Sequence, residues 1–185
     1  MYLRKETPSE YQTSLPSPEP LSIVEYAHNL SSYSFTAPGG SEQRAIRFLH
    51  ELTVPLQIQT PADVANYVMN EVYYPWSACT QEEMFGLALN TRNCITHNYL
   101  VHRGSIDTIP IRIADVFRPA VILNARSVIV SHNHPSSDPE PSPEDVRVTQ
   151  MMVEAGRLLD VEVLDHLIIA KDRFVSMRDR GVGFC

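Results

Sequence analysis

Cysteine is scarce. Cys79, Cys94 and Cys185 are the only three in 185 residues, they lie far apart, and none belongs to a C-x-x-C pair. An odd, scattered set in a chain of this length argues against a disulfide framework and for a reducing, cytoplasmic setting. Long apolar runs are also missing: none approaches the roughly 18 to 20 residues that a membrane span requires, and MYLRKETPSEY at the N-terminus is polar from its fourth residue, so a soluble protein is expected. Positive charge is thin. Fifteen Lys and Arg against 22 Asp and Glu give a formal charge of -7, with no long basic block, so a phosphate-binding surface has no footing and nucleic acid is a poor first candidate as partner. Two zinc-enzyme signatures are absent as well. Without H-E-x-x-H the chain is no thermolysin-like protease, and without H-x-E followed by P-C-x-x-C it is no zinc deaminase.

What is present is enough chain for one compact domain plus an extension. Residues 1–20 are rich in Pro, Ser and Thr, and Pro8, Pro16, Pro18 and Pro20 each remove a backbone donor, which predicts a tail. Arg44–Leu52 has helical periodicity, while Pro38, Gly39 and Gly40 interrupt the stretch before it; the pattern admits a helix without fixing one. Residues 1–58 are therefore read as an extension able to cover a partner or a substrate groove, ahead of a domain over residues 60–185.

Regular patterning starts at Thr60. TPADVANYVMNEVY offers a Thr N-cap, Pro61 in the first turn, Asp63 three residues after the cap, and Val64, Tyr67, Val68 and Val72 on one stripe, the signature of a helix. Glu82–Asn90 and Asn93–Val101 read as two strands joined through Thr91 and Arg92 in a hairpin. A helix is predicted over 113–124, with a late start or a kink because Pro119 blocks one internal bond. SVIVS at 127–131 reads as a buried strand. Val146, Thr149, Met152, Val153 and Leu159 predict a helix over 143–159, and 161–170 and 173–177 are predicted strands. The order α-β-β-α-β-α-β-β implies an α/β or α+β domain with a mixed sheet.

The chemistry concentrates in SHNHPSSDPEPSPED, residues 131–145. Two histidines at i and i+2 at the end of a strand project from one side, so His132 and His134 can each offer an imidazole nitrogen to one ion. Asp145, in the first turn of the next helix, can supply a third ligand and leave a position open for water, the layout of a catalytic metal site. Such a site needs a carboxylate base that is not itself a ligand. Glu82 and Glu83 are the candidates, and only one of them can face the site because neighbouring strand residues point to opposite faces.

His132-x-His134, seven residues, Ser142, two residues, Asp145 resembles the JAMM motif of MPN/JAB metallopeptidases. The context is similar to the RadC-like (UPF0758-type) branch: SHNHPSSDPEPSPEDVRVT resembles its HNHPSGD-x-x-PS-x-x-D-x-x-x-T run, LDHLII at 164–169 its LDH-x-I strand, and EEMFGLALNTRN at 82–93 its glutamate-bearing strand and turn. The similarity covers about residues 60–180. It implies a mixed sheet flanked by helices with cytidine-deaminase-like layering, and zinc on His132, His134 and Asp145. It further implies Glu82 as general base and Ser142 as hydrogen-bond partner to the water or developing oxyanion. The implied substrate is a peptide or protein conjugate, with DNA entering only through the branch's DNA-repair label. Ser137 departs from the pattern by standing where Gly is usual, a change expected to alter the loop turn because Gly tolerates φ > 0 and Ser less readily, and the helix-hairpin-helix segment that often precedes the domain is not visible in the Pro-rich extension.

Plainer readings stand beside these. Ser142-Pro143-Glu144-Asp145 is also a helix-capping signature, compatible with a metal role. Glu82 and Glu83 fit a charged strand edge. His166, with Asp165 before it, fits a satisfied core histidine better than a group behind the ligands, since no spacing ties it to the metal. His28, His50, His97 and His102 acquire no role, and Cys79 and Cys94 read as small buried residues. Two rival functions are a binding module that keeps zinc without catalysis and a metal-dependent nuclease; the latter would need a basic groove to go with its HNH letters.

Overall fold

The computed structural model describes residues 49–104 and 111–184. The tail at 1–20, His28, the periodic residues 44–48 and Cys185 lie outside these.

Nine principal elements are described. They are β1 (His50–Gln57), α1 (Pro61–Tyr67), β2 (Glu83–Leu89), β3 (Cys94–Arg103), α2 (Ile113–Ile122), β4 (Ser127–Asn133), α3 (Pro143–Leu159), β5 (Glu162–Ile169) and β6 (Phe174–Ser176). The strands form one sheet in the order β1-β3-β2-β4-β5-β6. β4 and β5 are parallel and the other neighbours antiparallel, so the α+β class and mixed sheet expected from the sequence hold. α3 supplies the crossover that a parallel pair requires.

Each face of the sheet buries a separate apolar layer. Phe85, Leu87, Leu89, Ile129, Leu167 and Ile169 pack with Val64, Ala65, Val68 and Val72 of α1 and its continuation on one face. Met84, Val128 and Val130 pack with Val116, Phe117 and Ala120 of α2 and with Val148 and Met152 of α3 on the other. All seven β2 residues are buried, as a central strand covered on both sides must be.

Thr60 caps α1 as predicted, in a full capping box with Asp63. The helix then widens into a π turn over Val68–Val72. Three expectations are corrected. First, the helical periodicity at Arg44–Leu52 gives way to a strand from His50; pairing with β3 outweighs a weak local signal, and Glu51 opposes His97. Second, α2 does not start late but begins at Ile113, with Pro119 inside it as expected; the ring costs one donor, while the Pro119 carbonyl still receives the Leu123 amide at 2.9 Å. Third, the buried stripe of α3 is Asp145, Val148, Thr149, Met152 and Gly156, whereas Leu159 is 48% exposed. Thr149 and Met152 lie on the stripe as expected, and it turns to follow the site: Asp145 is a polar residue that a hydrophobic count passes over.

Candidate metal centre

The site forms where β4 ends and α3 begins. Met84 opposes His132 across the β2–β4 pair, which puts His132 on the face that carries α3. His134 follows one pleat later, its amide bonded to the Ile169 carbonyl at 2.8 Å. Pro143 in the first turn and the Ser142 cap start α3 so that Asp145 points back at both rings. His132 and Asp145 are almost fully buried and the His134 side chain is 13% exposed, so the site is reached from the His134 side.

His132, His134 and Asp145 offer ligand atoms that all lie within 4.8 Å of one another. His132 Nε2 is 2.9 Å from His134 Nε2 and 3.2 Å from Asp145 Oδ1, and His134 Nε2 is 3.6 Å from Asp145 Oδ2. Asp145 Oδ2 is engaged by the Ser142 amide at 2.8 Å and the Ser142 hydroxyl at 2.6 Å. Asp145 Oδ1 is buried without a hydrogen bond. An unsatisfied buried carboxylate oxygen is costly, and here it faces His132 Nε2 at 3.2 Å while the other oxygen lies 3.6 Å from His134 Nε2, distances that suit ligands around a shared cation. The donor set of two histidines and one carboxylate fits zinc with a position left open.

Charge follows geometry. Burial works against the Asp145 carboxylate, but the close His132 and His134 rings, with the Ser142 hydroxyl, hold it well below the usual carboxylate range. Burial also disfavours a charged His134, yet the Asp145 side chain, the Asp138 carbonyl and the charges of Asp145 and Glu82 raise its proton affinity. The pocket attracts positive charge.

Strand alternation separates the two glutamates. Glu83 lies on the Phe85 face, where its carboxylate meets Arg103 Nε at 2.9 Å. Glu82 shares the parity of Met84, and hence of His132, and its charge acts on His134. A cleft of about 480 Å³ opens beside it, lined by Thr80, Gln81, Glu82, Gly104, Pro135 and Ser136. The Asn133 side chain accepts from the Glu83 amide at 2.7 Å and donates to the Gln81 carbonyl at 3.1 Å, fixing the backbone on both sides of Glu82.

Ser142 is the N-cap of α3 in a full capping box with Asp145, so the capping reading holds and the same contacts aim the carboxylate. Ser137 adopts φ 65°, the conformation for which Gly is usual at this turn. His166 is a correction. It is not a detached core histidine, because its Nε2 lies 2.8 Å from His132 Nδ1 and its Nδ1 2.6 Å from Thr149 Oγ1. Sequence reasoning placed Thr149 on the buried stripe and in the D-x-x-x-T run but gave it no role at the site; its place four residues after Asp145, one turn along the same helix face, was the available signal. Asp165 is satisfied by Ser176 and by the backbone of His166 and Arg178. His102 lies beyond Met84 from His132 and is outside the cluster. Cys79 is buried, whereas Cys94 is only half-buried, and neither is in a disulfide among the described residues. Among the described residues no helix is long and apolar enough to cross a membrane.

Residues 58–182 match the model of the RadC-like JAB domain. A UPF0758 protein of Roseiflexus castenholzii is 48% identical over 128 residues, which is 69% of this chain and 53% of that protein. A UPF0758 protein of Bacillus pumilus is 41% identical over 124 residues, 67% of this chain and 54% of the relative. The chain thus spans about half the length of the curated relatives it matches.

Proposed function

Since the chain belongs to the RadC-like JAB domain family, we propose that it is a zinc-dependent hydrolase of the peptidase or isopeptidase kind, cutting an amide bond. His132, His134 and Asp145 would hold the ion, Glu82 would act as base, and the substrate would be a peptide or a protein conjugate. The observation that carries this is the convergence of two imidazole nitrogens on the buried Asp145 carboxylate, one oxygen of which has no hydrogen bond. A site with three protein ligands and an open side toward a cleft is what hydrolysis needs.

Zinc bound there would polarise the scissile carbonyl and acidify a water. Glu82, one residue ahead of β2 and lining the cleft, takes the proton from the attacking water and returns it to the leaving amine. Asn133 keeps that carboxylate in place through the two backbone bonds that flank it. Ser142 holds Asp145 with its amide, so its hydroxyl is able to turn toward a developing oxyanion without releasing the ligand. The nuclease reading has less support, since the cleft lining contains no Lys or Arg to meet a phosphate backbone.

The test is turnover of isopeptide- and peptide-linked substrates by the zinc-loaded chain beside Glu82→Gln. Removing a general base should cut the rate roughly 10²–10⁴-fold with zinc retained. Hydrolysis that persists unchanged in Glu82→Gln would refute the assignment, and no hydrolysis of any amide by the zinc-loaded wild type would favour a binding module.

A further inference from the structure

Behind the three candidate ligands lies a second, wholly buried set of polar groups. Thr149 Oγ1 is 2.6 Å from the Asp145 carbonyl oxygen and 2.6 Å from His166 Nδ1, and His166 Nε2 is 2.8 Å from His132 Nδ1. Thr149, His166 and His132 are each 0% exposed, so these contacts have no competing solvent.

The directions of the bonds follow from one end. A carbonyl oxygen only accepts, so the single Thr149 hydroxyl proton goes to Asp145 O; the alternative acceptor, Met177 Sδ at 3.4 Å, is farther and weaker. The Thr149 oxygen must then accept from His166 Nδ1–H. With that proton on Nδ1, the neutral ring of His166, wholly enclosed and with no carboxylate on either nitrogen, presents a lone pair at Nε2. His132 must therefore donate from Nδ1, which leaves its Nε2 lone pair aimed at His134 and Asp145. His134 is set in the same sense by another route: its Nδ1 meets the Asp138 carbonyl at 2.7 Å, so its Nε2 is also free.

We infer that Thr149 and His166 form a strut that joins two metal ligands from behind, fixing His132 in the tautomer whose Nε2 can coordinate and tying its ring to the backbone of Asp145. These are positioning residues, since neither reaches the open side of the site. Outer hydrogen bonds of this type fix ring orientation and ligand basicity. The C-terminal loop seals the strut. Gly183 sits at φ 81° against Thr149, so close that an added Cβ would lie 2.8 Å from the Thr149 side chain.

The inference rests on the metal reading, and its test separates the two. Zinc affinity of the full chain, by competition with a chelating dye, is compared for wild type, Thr149→Val and Thr149→Ser. Thr149→Val keeps the shape and removes the hydroxyl. It should weaken zinc binding roughly 10–100-fold, while Thr149→Ser stays within about threefold of wild type, a rescue that packing alone does not give. In parallel, ¹⁵N-histidine NMR of the unsubstituted, metal-free protein, above the range where imidazoles protonate, should place the protons of His166 and His132 on Nδ1. Wild-type zinc affinity in a folded Thr149→Val, or a His166 proton on Nε2, overturns the strut. Absence of zinc binding by wild type would sink the metal reading instead, and the tautomers would still decide the strut.

Discussion

Asn133 brackets Glu82: its side-chain oxygen accepts from the Glu83 amide at 2.7 Å and its amide nitrogen donates to the Gln81 carbonyl at 3.1 Å. The residue between the two candidate histidine ligands thus holds the strand that presents the candidate base. Asn133→Ala would strand a buried amide and a carbonyl, so stability should fall by about 1–3 kcal/mol, read by urea unfolding. Turnover should drop further than zinc affinity, because the ligands keep their own supports. A variant that loses zinc and turnover in equal proportion would show that Asn133 serves the ligands instead.

The two adjacent glutamates should fail in different ways. Glu82→Gln leaves the fold untouched and removes turnover. Glu83→Gln deprives Arg103 of a countercharge 2.9 Å away; since the Arg103 side chain is 31% exposed, the cost should be about 1–2 kcal/mol, below that of breaking a fully buried pair. Thermal unfolding and turnover measured on both variants check this. A stable but inactive Glu83→Gln would reverse the assignment.

Ser137 carries φ 65° in the loop that follows His134, a conformation that disfavours side chains by roughly 1–2 kcal/mol, against an entropic cost for glycine of roughly 0.5–1 kcal/mol. Ser137→Gly should therefore raise stability by up to about 1 kcal/mol in urea titration. A clear loss of stability would mean that the Ser137 side chain makes a contact of greater value than the strain.

Acid should act on α1 through Asp63. Hydrogen bonds from the backbone of Gln59 and Thr60, and then from the Thr60 hydroxyl, outweigh desolvation and lower its proton affinity below the ordinary value of 3.8. A lowered value in the folded state gives stabilisation that is complete above 3.8 and lost as pH falls through the depressed value. The stability gap between wild type and Asp63→Asn should be largest near neutrality and close in acid. A gap that widens as pH falls would contradict the capping box.

The sheet and the ligand triad were legible in the sequence because their signals are local. β2 and β4 carry short apolar runs, MFGLAL and VIV, between turns, and His132, His134, Ser142 and Asp145 occupy one contiguous segment. The capping box of α3 is both a helix signal and the means of aiming Asp145, so one motif served two readings. The roles of His166 and Thr149 were not legible although both residues stand in the quoted motifs, because the tie to His132 runs through the parallel β4–β5 pairing and across to α3, which sequence spacing does not encode. The strand at His50 was hidden for a similar reason, since an edge strand half-turned to solvent owes its form to β3 more than to its own residues.

Zinc content tests the central claim most directly, measured by elemental mass spectrometry on the full chain after dialysis against metal-free buffer, with His134→Ala and Asp145→Ala alongside. About one zinc per chain in wild type, lost in both variants while they remain folded, is the result the convergence of His132, His134 and Asp145 requires. A folded wild-type protein that holds no zinc even when the metal is added back would contradict it, and would leave Ser142 and Asp145 as the cap of a helix.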